Sequence, residues 1–422
     1  MGNLLVRCEC GERFEADEAA AKTGTVKCPK CGRKLKIKRI REGRRARPVK
    51  VSAASRFFDK AGAAVASASA KAARNASQRP VITPFARLVT ILCWAYVALA
   101  ALLVIVAWGL GDEWWPGTIL LFVGRWVFLL PLIGLIPAAL FARAWLLLPL
   151  TLATTLIVGP LMGARVGLEG MMPAPEGTKI RVLTFNTGAG AGAGVDLEFL
   201  LEAWNADIVA FQECTHSVQD AIARLGKPWS HHEERGLCMI TRFPIRAVSI
   251  MDRKTLEEIN EKGGGIGGSG DVIRYDLETP AGLVHFTNVH LETPRKGFEA
   301  FFTRAGGAFE LLKQNTKLRD AESRLARRHV DAGGIPLIVA GDFNTTIESR
   351  IFQRHWGDFK DAFTAAGFGF GMTKYNGWIR VRIDHVLTDD SFGITHVELA
   401  EDRGSDHRPV IADLVLKRRK NR

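Results

Sequence analysis

Cysteine is nearly missing from the larger part of the chain. Of seven cysteines in 422 residues, four are Cys8, Cys10, Cys28 and Cys31, one is Cys93 in an apolar stretch, and only Cys214 and Cys238 lie further on. That distribution excludes a disulfide-dense scaffold, and Cys214, directly after Glu213, reads as a small packed residue. Acidic residues are scarce at the start. Residues 1–80 hold 20 Lys and Arg against 7 Asp and Glu, a net of +13, which is the net charge of the whole chain. Residues 166–416 carry 28 basic and 35 acidic side chains, a net of −7, and give no support to a non-specific grip on DNA. The glycine run at 263–270 lacks the Lys-Ser/Thr of a P-loop, so it reads as a surface loop and not a phosphate cradle. No cleavable signal peptide is expected before the basic arm.

Residues 1–38 read as a zinc-ribbon-like segment. Cys28-Pro29-Lys30-Cys31-Gly32 places two thiolates on a tight turn, and Cys8 and Cys10 supply two more for a tetrahedral structural Zn²⁺. A fold this small has too little core to stand without such a staple. Residues 39–84 are basic and Ala-rich, a linker with one helix expected at 57–76. A basic arm beside membrane spans reads as a cytoplasmic anchor attracted to anionic lipid; nucleic-acid binding is the alternative.

Residues 85–165 form the expected transmembrane region of about three helices: Phe85–Leu110, Gly117–Ala142 and Ala144–Met162. Arg125 is awkward within the second, since a mid-bilayer arginine costs roughly 2.5–3.5 kcal/mol; it is expected to snorkel to the interface. Trp114, Trp115 and Trp145 suit interfacial belts. The basic arm should stay inside, the acidic loop 111–116 outside, and Arg143 inside. The remainder, residues 178–418, then lies on the exoplasmic or periplasmic side of a bacterial-type membrane; two spans instead of three would leave it cytoplasmic.

From residue 178 onwards strand and helix patterns alternate over about 240 residues, enough for an independent core. Strands are expected at 179–185, 207–211, 283–290, 336–340, 380–387 and 409–416, and helices at 196–204, 217–225 and 308–330. Polar residues recur at the strand ends: Thr184-Phe185-Asn186, Phe211-Gln212-Glu213, Asn288-Val289-His290, Gly341-Asp342-Phe343-Asn344, Arg382-Ile383-Asp384-His385 and Ser405-Asp406-His407-Arg408-Pro409. Alone, each would be an ordinary cap, turn or strand end. His385, beside Asp384 on a strand, should face the other way and be structural.

Six such motifs in this order resemble the endonuclease/exonuclease/phosphatase superfamily, which includes DNase I-like nucleases, abasic-site endonucleases, inositol-phosphate phosphatases and neutral sphingomyelinases. The resemblance covers about residues 179–416. It implies a four-layered α/β sandwich with two central mixed sheets and a hydrolase needing Mg²⁺ or Mn²⁺. It implies Asn186, Glu213 and Asp406 as metal-binding positions. Asp342 would orient or deprotonate the attacking water, and Asn344, on the same side of an extended chain, would bond a phosphate oxygen. His290 and His407 would meet the phosphate, with Asp384 setting the tautomer of His407. By order, Tyr275 is the candidate for a tyrosine that some nuclease members carry. The expected function is a membrane-anchored phosphodiesterase or phosphatase. Its substrate is a phosphate ester (nucleic acid, phospholipid headgroup or small phosphodiester), its further partner is the bilayer, and no protein partner is implied. The competing expectation is a non-catalytic membrane scaffold carrying an inactive family domain.

Overall fold

Strand alternation decides the layers of the large unit. In the computed structural model, which describes residues 4–11, 13–16, 24–36, 83–188, 197–262, 270–303, 308–331, 333–377, 379–401 and 404–418, the chain divides into two compact units, Met1–Val81 and Ile82–Arg422. The expected helix at 57–76 and nearly all of the glycine run lie outside the described residues.

Among its described residues the first unit holds two hairpins. Strand β1 (Leu4–Arg7) pairs antiparallel with β2 (Arg13–Ala16), and β3 (Thr25–Lys27) with β4 (Lys34–Lys36). Each carries a glycine-closed turn: Gly11 N–H donates to the Cys8 carbonyl and Gly32 N–H to that of Cys28.

The second unit opens with the apolar region. Helix α1 (Pro84–Ile105) is capped by Thr83, whose hydroxyl accepts from Ala86 N–H, and runs on through a π-type turn to Leu110. Then come α2 (Trp115–Phe122), a 3₁₀ turn at Arg125–Leu129, α3 (Leu132–Ala142) and α4 (Leu147–Leu156). Among the described residues, three stretches are long and apolar enough to cross a membrane: Pro84–Glu113, Arg125–Ala142 and Ala144–Leu161. The expected continuous span from Gly117 is therefore broken. Helix α2 stops at Phe122, and Val123 is extended. Nor does Arg125 snorkel. It is buried, donates to the Leu121 and Leu161 carbonyls, and pairs with Glu348 at 3.4 Å. The counter-charge lies more than 200 residues away, where local hydropathy cannot find it.

A short pair of strands, β5 (Arg165–Val166) with a later segment, fastens the linker to the body. The body then runs β6 (Gly177–Asn186), α5 (Leu197–Trp204), β7 (Ile208–Gln212), α6 (His216–Ala223), β8 (Ser230–Glu234), β9 (Leu237–Thr241) and β10 (Ile245–Ile250). Next are α7 (Lys254–Lys262), β11 (Asp271–Thr279), β12 (Gly282–His290), α8 (Arg295–Thr303), α9 (Ala308–Val330), β13 (Leu337–Asp342) and α10 (Arg350–Trp356). It closes with β14 (Lys360–Asp361), α11 (Ala362–Ala366), β15 (Phe368–Gly369), β16 (Lys374–Asn376), β17 (Ile379–Val381), β18 (Asp384–Thr388), β19 (Phe392–Leu399) and β20 (Val410–Lys417). The partner of β5 is β15. The strand expected over 380–387 is two strands, because β17 pairs with β16 while β18 joins a central sheet.

Two six-stranded mixed sheets result, in the orders β10-β11-β12-β13-β18-β14 and β19-β20-β6-β7-β9-β8. Along β6, Ile180 and Val182 face the shared core, where they join Tyr275, Phe286 and Ile338 of the other sheet. Leu183 and Phe185 face outward, beneath Leu197, Val218 and Ile222 of α5 and α6. The opposite outer face packs Val289, Val339 and Leu387 against Leu318 and Trp356 of α9 and α10. This is the four-layered α/β sandwich. Tyr275 is fully buried in the central layer with its hydroxyl 3.3 Å from His232 Nδ1, away from the strand ends where the polar motifs gather.

Candidate active site

Register brings the motifs together. Asn186 pairs with Gln212 at the ends of parallel β6 and β7, and His290 with Asp342 at the ends of parallel β12 and β13. Asp384 begins antiparallel β18 opposite Asp342. Val410 begins β20 opposite Thr184, which leaves His407 just beyond the same rim. The two sheets are tied there by a buried amide pair: Gln212 Nε2 donates to Asn288 Oδ1 at 2.7 Å, and Asn288 donates to the Phe211 and Cys238 carbonyls. Sequence reasoning gave Gln212 and Asn288 no role, though both stand in the quoted motifs.

Close backbone approach explains Gly341. A Cβ there would meet the Val289 carbonyl oxygen at 2.0 Å, and its φ is +145°. Glycine therefore lets β13 press against β12 and place Asp342 beside His290. Two neighbouring site residues hold left-handed backbone without being glycine, Glu213 and Asn344, each at φ 50°. Such strain persists only where the surroundings enforce it, commonly at functional sites.

The contacts form one chain of charges. His407 Nδ1 lies 2.9 Å from Asp384 Oδ2, and its Nε2 lies 3.7 Å from Asp342 Oδ2. Asp342 Oδ2 accepts from Asn186 Nδ2 at 3.0 Å, and the same nitrogen donates to Glu213 Oε1 at 3.2 Å. His290 Nε2 stands 3.8 Å from Glu213 and 3.9 Å from Asp342. Around it, the Thr373 hydroxyl accepts from Asp384 N–H, and Ser405 donates to the Asn186 carbonyl while accepting from His407 N–H. His385 faces away, between Asp361 and the Thr345 carbonyl.

Burial favours the neutral form of Asp342, and the charge of Asp384 pushes its pKa up further; His407 and His290 oppose this. Asp384 is held below the usual carboxylate range: burial works against its charge, but His407 and the hydrogen bonds it receives prevail. Burial would lower the pKa of His407, yet Asp384 and Asp342 raise it to about 9.

Three expected residues sit differently. Asn344 is not on extended chain: β13 ends at Asp342, the Asn344 N–H donates to Asp342 Oδ1 in a tight turn, and its side-chain amide donates to the Leu291 carbonyl. Asn186 turns its amide nitrogen to the carboxylates, and its oxygen accepts from Gly188 N–H. Asp406 is half exposed and ion-paired with Lys374, a cation that sequence reasoning overlooked. A divalent cation still fits the donor set. Glu213 and Asp342 accept from the same Asn186 amide nitrogen, so two carboxylates face one point at the rim, and hard cations take such oxygens. Cys214, expected as a packed small residue, is instead disulfide-bonded to Cys238. The pairing of β7 with β9 sets Phe211 opposite Cys238 and so brings the two thiols to one strand end.

In the small unit the four thiols of Cys8, Cys10, Cys28 and Cys31 lie within 4.8 Å of one another, with two sulfur pairs at 3.6 Å. A tetrahedron of Zn–S bonds near 2.3 Å has edges of about 3.8 Å, so the cluster suits zinc.

An endonuclease/exonuclease/phosphatase from Beutenbergia cavernae is structurally similar at 19% identity and TM-score 0.42, over 57% of this chain and 72% of that one. TDP2 from D. rerio, complexed with a single-strand DNA product, is similar at 12% identity and TM-score 0.41, over 56% and 99%. The human Nocturnin catalytic domain with bound sulfate is similar at 16% identity and TM-score 0.41, over 60% and 100%. No curated protein matches in sequence. The sequence model of the endonuclease/exonuclease/phosphatase family matches residues 183–407, more than half of the chain. This chain belongs to the endonuclease/exonuclease/phosphatase family.

Proposed function

We propose that the protein is a membrane-anchored, divalent-cation-dependent phosphodiesterase whose catalytic domain, residues 178–418, works on the exoplasmic side. The observation that carries the reading is the single contact chain Asp384–His407–Asp342–Asn186–Glu213, with His290 beside it. A scaffold with an inactive domain has no need to assemble it.

His407, with its pKa near 9, is imidazolium at neutral pH. Its Nδ1–H is committed to Asp384, so Nε2–H is the proton that faces a phosphate oxygen or the leaving oxygen. Asp342, whose pKa is raised, is the better base for it, and accepts the proton of the attacking water. His290 reaches the phosphate from the Glu213 side. Glu213, with Asp342 next to it, would hold Mg²⁺ or Mn²⁺, which supplies charge neutralisation at the phosphate oxygens. Asn186 orients both carboxylates.

Two observations support the exoplasmic side. Asp112, just past α1, accepts from Ser349 Oγ and from the Arg350 and Ile351 amides at the start of α10, so the end of α1 and the catalytic domain share a side. One crossing separates that end from the basic arm. Whether residues 125–161 cross twice or fold back as a re-entrant hairpin, the parity is unchanged. The Cys214–Cys238 disulfide suits an oxidising compartment. The four-cysteine cluster of segment 1–38 would hold a structural Zn²⁺.

The test is hydrolysis of bis(p-nitrophenyl) phosphate by the detergent-solubilised full chain, with EDTA and then with Mg²⁺ or Mn²⁺ restored. Full activity in EDTA would refute metal dependence, and none under any condition would refute the enzyme.

A further inference from the structure

Beside the catalytic rim lies a cavity of about 680 Å³ whose far wall is not made by the sandwich. It is made by α2 of the apolar region, through Ile119 and Phe122, and by Val123 just after it. Phe122 packs edge-on against Phe298 at 5.8 Å, and facing it are Ile379, Val381 and Ile383 of the segment leading into Asp384. Val381 and Ile383 belong to the same buried cluster as Leu121, Phe122 and Leu161 of the apolar region. An apolar surface thus runs unbroken from the membrane helices to within one residue of the dyad. At the other end are Glu213, Asp342, His290 and His407, with Lys374, Lys296 and Arg295 as cations, each ion-paired, with Asp406, Glu292 and Glu299 respectively.

Trp114 and Trp115, at the start of α2, are 46% and 41% exposed, and Trp115 packs on Phe309 of α9 at 4.9 Å. Helix α2 links two stretches long and apolar enough to cross a membrane, so the cavity beside it lies at the junction of the apolar region and the catalytic domain. A nucleic-acid tract needs a row of cations along its backbone, and this wall offers aliphatic side chains instead.

We infer that the substrate is an amphiphilic phosphodiester, a lipid-type ester whose phosphate sits between Glu213 and His407 and whose apolar chain lies along Ile119, Phe122 and Val123 on one side and Ile379 on the other. This rests on the phosphodiesterase reading above. The membrane region is then part of the active site and sets its specificity, and substrate enters from the bilayer side. The reaction is hydrolysis: water oxygen bonds to phosphorus, one ester P–O bond breaks, and the leaving oxygen takes a proton, giving a phosphomonoester and an alcohol.

The experiment uses the full chain in nanodiscs, Mn²⁺, and alkyl p-nitrophenyl phosphates with one reacting bond and a varied chain, methyl against octyl, beside a thymidine p-nitrophenyl phosphate. A buried methylene is worth about fourfold, so burying only two of the seven added ones raises kcat/KM more than tenfold for octyl over methyl. Ile119→Ser and Ile379→Ser should each lower that octyl-to-methyl ratio severalfold; Ile379 is 39% exposed, so its variant keeps the fold, which circular dichroism checks. Equal kcat/KM for methyl and octyl, or a ratio indifferent to both variants, overturns the inference while leaving the phosphodiesterase intact. Preference for the thymidine ester overturns it in favour of nucleic acid. Hydrolysis of none overturns both.

Discussion

Replacing Asp384 by asparagine keeps a hydrogen-bonding side chain beside His407 and removes one charge. Both groups are almost completely buried and 2.9 Å apart, so that charge is what most strongly opposes the burial that would lower the pKa of His407. Asp342, at 3.7 Å, is then the remaining support. Without Asp384, burial is opposed chiefly by Asp342 alone, and the pKa of His407 falls from about 9. Loss of a positioned acid or charge-stabilising group costs on the order of 10²–10⁴ in rate. Asp384→Asn should therefore lower kcat by about 10² at pH 7.5 and recover in part near pH 6, and His407→Ala should lose 10²–10⁴ at every pH. The double variant should lose little more than His407→Ala, since groups acting as a unit are not additive. In the wild type the rate should fall as pH rises through about 9, or lower once a bound cation adds its charge. Stability follows the same sign. A pKa raised from 6.5 to about 9 contributes fully below 6.5 and is lost as pH rises towards 9. Single-turnover rates from pH 5.5 to 10 measure this. An Asp384→Asn profile with an unmoved alkaline limb would refute the dyad.

Asp112→Ala should destabilise the second unit by about 3–5 kcal/mol, because it strips the α10 amides of their acceptor and removes one of the carboxylates that balance buried Arg319; a thermal melt in detergent that stays within about 1 kcal/mol of wild type would contradict it. Cys28→Ser should abolish zinc in the arm while sparing ester hydrolysis, as metal analysis and kinetics of the full chain would show. Reducing the Cys214–Cys238 bridge, which closes a 24-residue separation, should cost about 3 kcal/mol. Thiol labelling of intact cells should leave both cysteines unmodified until an external reductant is added; labelling without reductant would place the domain in a reducing compartment. Asp361→Asn should cost about 3–5 kcal/mol by leaving the buried Arg382 unpaired, and unfolding curves would detect it.

The strand-end motifs were legible because a period of two exposes apolar runs, and each run is followed at once by its polar residue. Asn186 closing β6, Glu213 after β7, Asp342 closing β13 and Asp384 opening β18 are read from adjacent letters, as are the four clustered thiols and three apolar stretches. What the chain could not declare are partners chosen through space. Arg125 finds Glu348 across 223 residues, and Asp112 finds Ser349 across 237. Cys214 meets Cys238 because β7 pairs with β9, and Tyr275 faces the core because of where β11 falls in register. Backbone turned the remaining expectations. A left-handed Asn344 folds its amide back onto Leu291, and Asn186 presents nitrogen because two carboxylates lie on one side and an N–H on the other. Sequence supplied the chemistry of each side chain and its local element. Sheet register and layer packing alone decided which charges neutralise one another, and set an apolar helix beside the catalytic rim.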